Sequence, residues 1–100
     1  MDYWVYILYS SPLDRFYKGQ TSDIDQRIYR HNHGHEKSTK SGSPWLLVWK
    51  TSKSSRREAL LLEAKLKHLS RERLLDFMFK YNQDIEKDQI DVLRRLRFEP

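Results

Sequence analysis

Residues 3–9 read Tyr-Trp-Val-Tyr-Ile-Leu-Tyr without a polar break, the pattern of a central strand covered on both faces. Residues 10–15 supply a turn, and residues 16–20 read as the returning strand of a hairpin. Gly19 weakens a strand interior and marks a close backbone approach, either for hairpin geometry or to let a phosphate backbone come near, and the two roles coexist. Ser22 followed by Asp25 fits a capping box, and Ile24 and Ile28 lie one helical turn apart, so a helix is predicted from here to about Gly34. At about 100° per residue, Arg27 and His31 fall on the same arc as the two isoleucines, so polar side chains border the face that must meet the sheet.

Residues 35–44 lack periodicity and are read as a basic loop. Residues 45–51 form a third strand, followed by a helix over 55–69 whose buried stripe is Leu62, Leu66 and Leu69, with Glu63 on a neighbouring arc. A further helix is predicted over 71–80. In residues 83–100, Ile85, Val92, Leu93 and Leu96 keep rough helical spacing among charges, which fits a fourth helix folded back on the domain or an arm that binds a protein partner. The predicted fold class is α+β: a small three-stranded mixed or antiparallel sheet flanked by helices, with a domain over 1–82 and a helical extension over 83–100.

One hundred residues enclose one core. The chain is 38% hydrophobic and 33% charged with 13% aromatics, too aromatic for a disordered tail and too polar for a membrane protein. No apolar stretch approaches the roughly 20 residues that span a bilayer, and the N-terminus lacks the layout of a signal peptide, so a cytoplasmic location is expected. Without cysteine, any metal must bind oxygen or imidazole. The formal charge of +5 is concentrated in the middle third, where eight Lys/Arg from Arg27 to Arg57 face Glu36 alone. A basic field with Tyr and Trp interleaved suits a polyanion such as nucleic acid, although charge alone also fits a merely solvated surface.

Val5-Tyr6-Ile7 in the first strand, Tyr17-Lys18-Gly19 in the second, Arg27 and His31 on the first helix and Glu63 on the second form an ordered set. Over residues 3–80 this set resembles the GIY-YIG nuclease superfamily, in its small single-domain bacterial branch related to the UvrC nuclease module. Asp23-Ile-Asp-Gln-Arg27-Ile-Tyr-Arg-His31-Asn32, the Ser-Thr-Lys loop before Pro44-Trp45, and Glu58-Ala-Leu-Leu-Leu-Glu63-Ala-Lys-Leu-Lys67 are similar to family text at family spacing. The sequence departs from it where Trp4 replaces the first glycine, where Gln20 follows Gly19 in place of a lysine, and where Asn82 lies later than the asparagine of some members.

The resemblance implies an endonuclease hydrolysing phosphodiester bonds of nucleic acid, with DNA the expected substrate. A non-catalytic nucleic-acid-binding module on the same fold is the alternative. It also implies Tyr6 and Tyr17 side by side on the sheet, Tyr17 as favoured general base with Tyr6 assisting, Arg27 on the phosphate and Glu63 on one divalent cation. Each role has independent physical sense. A guanidinium clamps two phosphate oxygens, a tyrosine of ordinary pKa about 10 accepts a proton only beside positive charge, and one carboxylate suits a single Mg2+ that keeps several waters, with Mn2+ as substitute. His31, one turn from Arg27, is placed to relay a proton. Lys18, Arg30, Lys37, Lys40 and Trp45 are the expected nucleic-acid contacts, Trp45 by stacking on an unpaired base if exposed. The plain alternatives are tyrosines at a sheet edge and a Glu63–Lys67 surface ion pair.

Overall fold

The structure, a computed structural model, describes residues 2–98; residue 1 and the last two residues of the predicted extension lie outside the described residues. Strands β1 (Tyr3–Ser10), β2 (Arg15–Thr21) and β3 (Trp45–Lys53) form one antiparallel sheet in the order β2-β1-β3. Helix α1 (Ile24–Asn32) and a 3-10 helix (Lys37–Gly42) separate β2 from β3, and α2 (Arg56–Lys67), α3 (Arg71–Lys80) and α4 (Lys87–Phe98) follow. The fold is α+β, with all strand pairs antiparallel.

The central position of β1 explains its unbroken apolar run, because helices cover both sides of it. Its alternate residues Val5, Ile7 and Tyr9 pack with Val48, Trp49, Ala59, Leu66, Leu74, Leu75, Met78 and Leu93. On the other face, Tyr6 and Leu8 pack with Trp45, Tyr17, Ile24, Ile28 and Leu47. The period-2 side-chain alternation thus sends Val5, Ile7 and Tyr9 to the α2, α3 and α4 side and Tyr6 and Leu8 to the α1 side. A register shift between Ile7 and Leu8 in the β1–β3 pairing brings both Val48 and Trp49 into the larger core.

Two local expectations change. The α1 cap is Asp23, whose carboxylate accepts from Gln26 N–H at 3.1 Å, one residue later than the Ser22 capping box. The Thr21 hydroxyl bonds Asp23 and fixes that offset. The supposed basic loop contains the 3-10 helix, with Thr39 and Gly42 buried beneath it. Its polar sequence conceals this because a tight helix with buried backbone contacts needs no apolar stripe.

Helix α4 folds back on the domain. Leu93 is fully buried, Val92 and Leu96 pack beside it, Gln89 Nε2 donates to Leu47 O at 3.0 Å, and Arg97 pairs with Asp76. Val92, Leu93 and Leu96 are therefore packed within the domain, while Phe98 stays exposed. Among the described residues no helix is long and apolar enough to cross a membrane.

Candidate active site

Tyr6 stands mid-strand in β1 opposite Gly19 of β2 and Lys50 of β3. It is fully buried, and its hydroxyl lies 2.9 Å from His31 Nε2. The second tyrosine, Tyr17, sits on the same face of the neighbouring strand with its ring centroid 6.3 Å from that of Tyr6. His31 meets both rings, edge-on to Tyr17 at 4.8 Å and tilted to Tyr6 at 5.9 Å. Gly19 has its reason here: a Cβ would stand 2.5 Å from the Tyr6 oxygen and 3.1 Å from Tyr17 Cε1. The close neighbour is the protein's own phenol, and no phosphate backbone is needed to explain the glycine.

A directed hydrogen-bond chain runs behind this face. The Thr39 hydroxyl donates to Glu36 O at 3.4 Å, which leaves its oxygen to accept from His31 Nδ1 at 2.7 Å. Burial, helped by Arg27 and Arg30, holds the imidazole pKa below its ordinary value. A neutral ring with its proton on Nδ1 has a bare Nε2, so the Tyr6 O–H donates to it. Thr39 also supplies the carbonyl that accepts from Trp45 Nε1 at 2.7 Å, while Asn32 grips Trp45 through both its N–H and its C=O.

Arg27 and Glu63 both reach the electrostatic neighbourhood of the two phenols. The Tyr6 pKa is pushed well above its ordinary value, first by burial and then by Tyr17, with Glu63 adding to the rise and Arg27 opposing it. Burial also raises the Tyr17 pKa; Lys67 and Arg27 oppose it and Glu63 adds to it. Glu63 and Lys67 form the i,i+4 pair at 2.8 Å, and that same lysine is the strongest positive influence on Tyr17. The expected Glu63–Lys67 surface pair is therefore present, and it lies within electrostatic reach of Tyr17.

Tyr6, Tyr17 and His31 thus meet on one face of the sheet, and Arg27 and Glu63 lie within electrostatic reach of the two phenols. The expected nucleic-acid contacts do not all join them. Trp45 is only 5% exposed and bonded through its indole N–H, so it supports the cluster from within and offers no open ring to a base. Lys18 follows Tyr17 and so points to the opposite face, in register with Ile7 and beside Lys67. Arg30 is exposed and paired with Glu36 at 3.0 Å, and Lys37 and Lys40 are exposed on the 3-10 helix.

Sequence reasoning passed over Thr39, Asn32 and Lys50. Lys50 shares the Tyr6 face, with its Nζ 5.0 Å from the Trp4 ring centroid. The alternation of β3 was the available signal for Lys50, whereas no period marks Thr39 or Asn32.

Among the described residues no three His, Asp or Glu converge as a ready metal cage. Glu63, a single carboxylate already paired with Lys67, is a donor set too sparse for zinc, and any cation there would take most of its ligands from water.

The pattern of the GIY-YIG catalytic domain matches residues 2–82. The chain belongs to the GIY-YIG family. This GIY-YIG domain is 39% identical over 72 residues to the UPF0213 protein BH0048 of Halalkalibacterium halodurans, a match covering 71% of this chain and 76% of that protein. The solution NMR structure of the UPF0213 protein BH0048 from Bacillus halodurans is similar as well, with a TM-score of 0.55 and 33% identity over 84% of this chain and 89% of that one. The GIY-YIG match extends from β1 through α3 and so takes in Tyr6, Tyr17, Arg27, His31 and Glu63.

Proposed function

We propose that this GIY-YIG domain is a metal-dependent endonuclease that hydrolyses DNA phosphodiester bonds. The observation that supports it best is the pairing of Tyr6 with Tyr17 beside a buried, directed Tyr6–His31–Thr39 hydrogen-bond chain, within electrostatic reach of Arg27 and Glu63. Cutting a phosphodiester needs a positioned water, a sink for charge on the phosphate and help for the leaving oxygen. These residues supply groups for each.

Arg27 binds the phosphate and neutralises charge as it develops. Tyr17, half-buried where Tyr6 is fully buried, is the phenol that meets the attacking water. Its raised pKa keeps it protonated in the resting domain, and positive charge from Lys67 and Arg27 favours the phenolate at the moment of transfer. Glu63 would hold the divalent cation, exchanging Lys67 for it. When bound, such an ion adds charge stabilisation and acidifies its water. His31 has no exposed surface, so it acts through Tyr6, holding that hydroxyl in place and able to take up its proton.

The decisive experiment measures cleavage of single-stranded, branched and duplex DNA with Mg2+, Mn2+ and chelator, beside Arg27→Ala and Glu63→Ala. Cutting that requires the metal and falls about 100-fold or more in both variants is expected. Binding without cutting in every metal favours a nucleic-acid-binding module instead.

A further inference from the structure

Where β2 ends and α1 begins, a recess of about 180 Å³ lies between the start of β1 and the first turn of α2. Tyr3, Gln20, Thr21, Ser22, Arg27 and Arg56 line it. No carboxylate is among them, and the Thr21 hydroxyl is already taken by the backbone of Asp23. Among the described residues neither arginine is ion-paired, although five other basic side chains are. An anion in a recess lined by two unpaired arginines would accept N–H pairs from both planar guanidiniums.

Arg27 belongs to two places at once. Its charge opposes the rise in the Tyr6 pKa, and it lines this recess. An anion seated between Arg27 and Arg56 is therefore a neighbour of whatever anion meets the tyrosine face. In a nucleic acid, consecutive phosphates are the groups so arranged.

We propose that the Arg27–Arg56 recess binds the phosphate next to the one cleaved, with Arg56 as the residue dedicated to it. This rests on the nuclease reading for the word "cleaved", but the binding site itself does not. The ligand is a nucleic-acid strand with at least two consecutive phosphates, held through its backbone and so without regard to sequence.

The test is binding of a labelled single-stranded oligonucleotide in chelator, where no metal-dependent cutting interferes, across a salt series. The wild type is compared with Arg56→Ala and with Arg57→Ala, the neighbouring exposed arginine outside the recess. Expected is about ten-fold weaker binding for Arg56→Ala, with the salt slope reduced by about one, and less than about two-fold change for Arg57→Ala. Equal losses in the two variants overturn the proposal, because a diffuse basic field then accounts for binding. Pyrophosphate is added as competitor: it should displace the oligonucleotide from the wild type. Pyrophosphate binding that depends on Arg56 while oligonucleotide binding does not makes this a pocket for free phosphates and also overturns it.

A second arm uses bis(p-nitrophenyl) phosphate, which carries one phosphate only. Arg57→Ala should act on it and on DNA as the wild type does, whereas Arg56→Ala raises the KM for DNA more than for this one-phosphate substrate, with kcat held. Equal loss on both substrates contradicts the assignment. A wild type that cuts nothing but keeps the Arg56-dependent binding sinks the nuclease reading and leaves the phosphate site standing.

Discussion

The phenol of Tyr6 lies against the backbone of Gly19, so close that the smallest side chain at position 19 would overlap its oxygen. Strand β2 is thereby a shelf for Tyr6, and the ring's position fixes both its bond to His31 and its spacing from Tyr17. Gly19→Ala must push Tyr6 off this shelf or bend β2. A loss of about 2 kcal/mol or more is expected, lowering Tm by about 8 °C or more in a domain of this size. Thermal melts followed by circular dichroism check it, and a Tm within about 2 °C of the wild type would mean that the ring shifts at no cost.

His31 ties stability to pH. Burial keeps its folded pKa below its ordinary value of about 6.5, so below that pH the unfolded chain binds a proton that the folded chain resists. The stability associated with the neutral ring is complete above about pH 6.5 and is lost as pH falls toward the folded pKa. Asp14, held low by hydrogen bonds from Tyr9 and Arg71, enters only below about pH 4. Urea midpoints from pH 7.5 to 5 should fall for the wild type and stay flatter for His31→Gln. Parallel curves would place the dependence on other groups.

Lys67 should set where Tyr17 works. It is the chief positive influence opposing the rise in the Tyr17 pKa, and Lys67→Ala removes it. If Tyr17 is the base, the rising limb of the rate against pH moves to higher pH in this variant. Single-turnover rates over pH 6–9.5 read the shift, and an unmoved limb assigns proton removal to another group.

Helix α4 contributes core as well as surface. Leu93 is fully buried among β1, β3, α2 and α3 side chains, so Leu93→Ala is expected to cost about 2–5 kcal/mol. Chemical denaturation gives the value. A cost below about 1 kcal/mol would mean that α4 is loosely docked and its leucine replaceable.

Most of the architecture was legible because each element carries one dominant period. The unbroken apolar run of β1 marked it as covered on both sides, and the family resemblance set Tyr6 beside Tyr17. Helical spacing put His31 and Arg27 on the inward arc of α1. What escaped is held by single contacts that leave no pattern. Thr39 looks like any loop threonine until the 3-10 turn buries it under His31, and Trp45 reads as a free aromatic until Thr39 and Asn32 take its polar atoms. Lys18 adjoins Tyr17 in sequence, but the strand's pleat turns it to the other face of the sheet. The Arg27–Arg56 recess joins residues 29 positions apart and depends on how the first turns of two helices meet the end of β2.

The central claim is that the gathered phenols, Arg27 and Glu63 form a working hydrolytic site, and Tyr17→Phe tests it most directly. Cleavage of a labelled DNA strand under single turnover with Mg2+ or Mn2+ is measured beside binding of the same strand in chelator. The account predicts metal-dependent cutting by the wild type and a rate about 100-fold lower in Tyr17→Phe, with binding within about two-fold. A wild type that binds but never cuts, or a Tyr17→Phe variant that cuts at the wild-type rate, would contradict it.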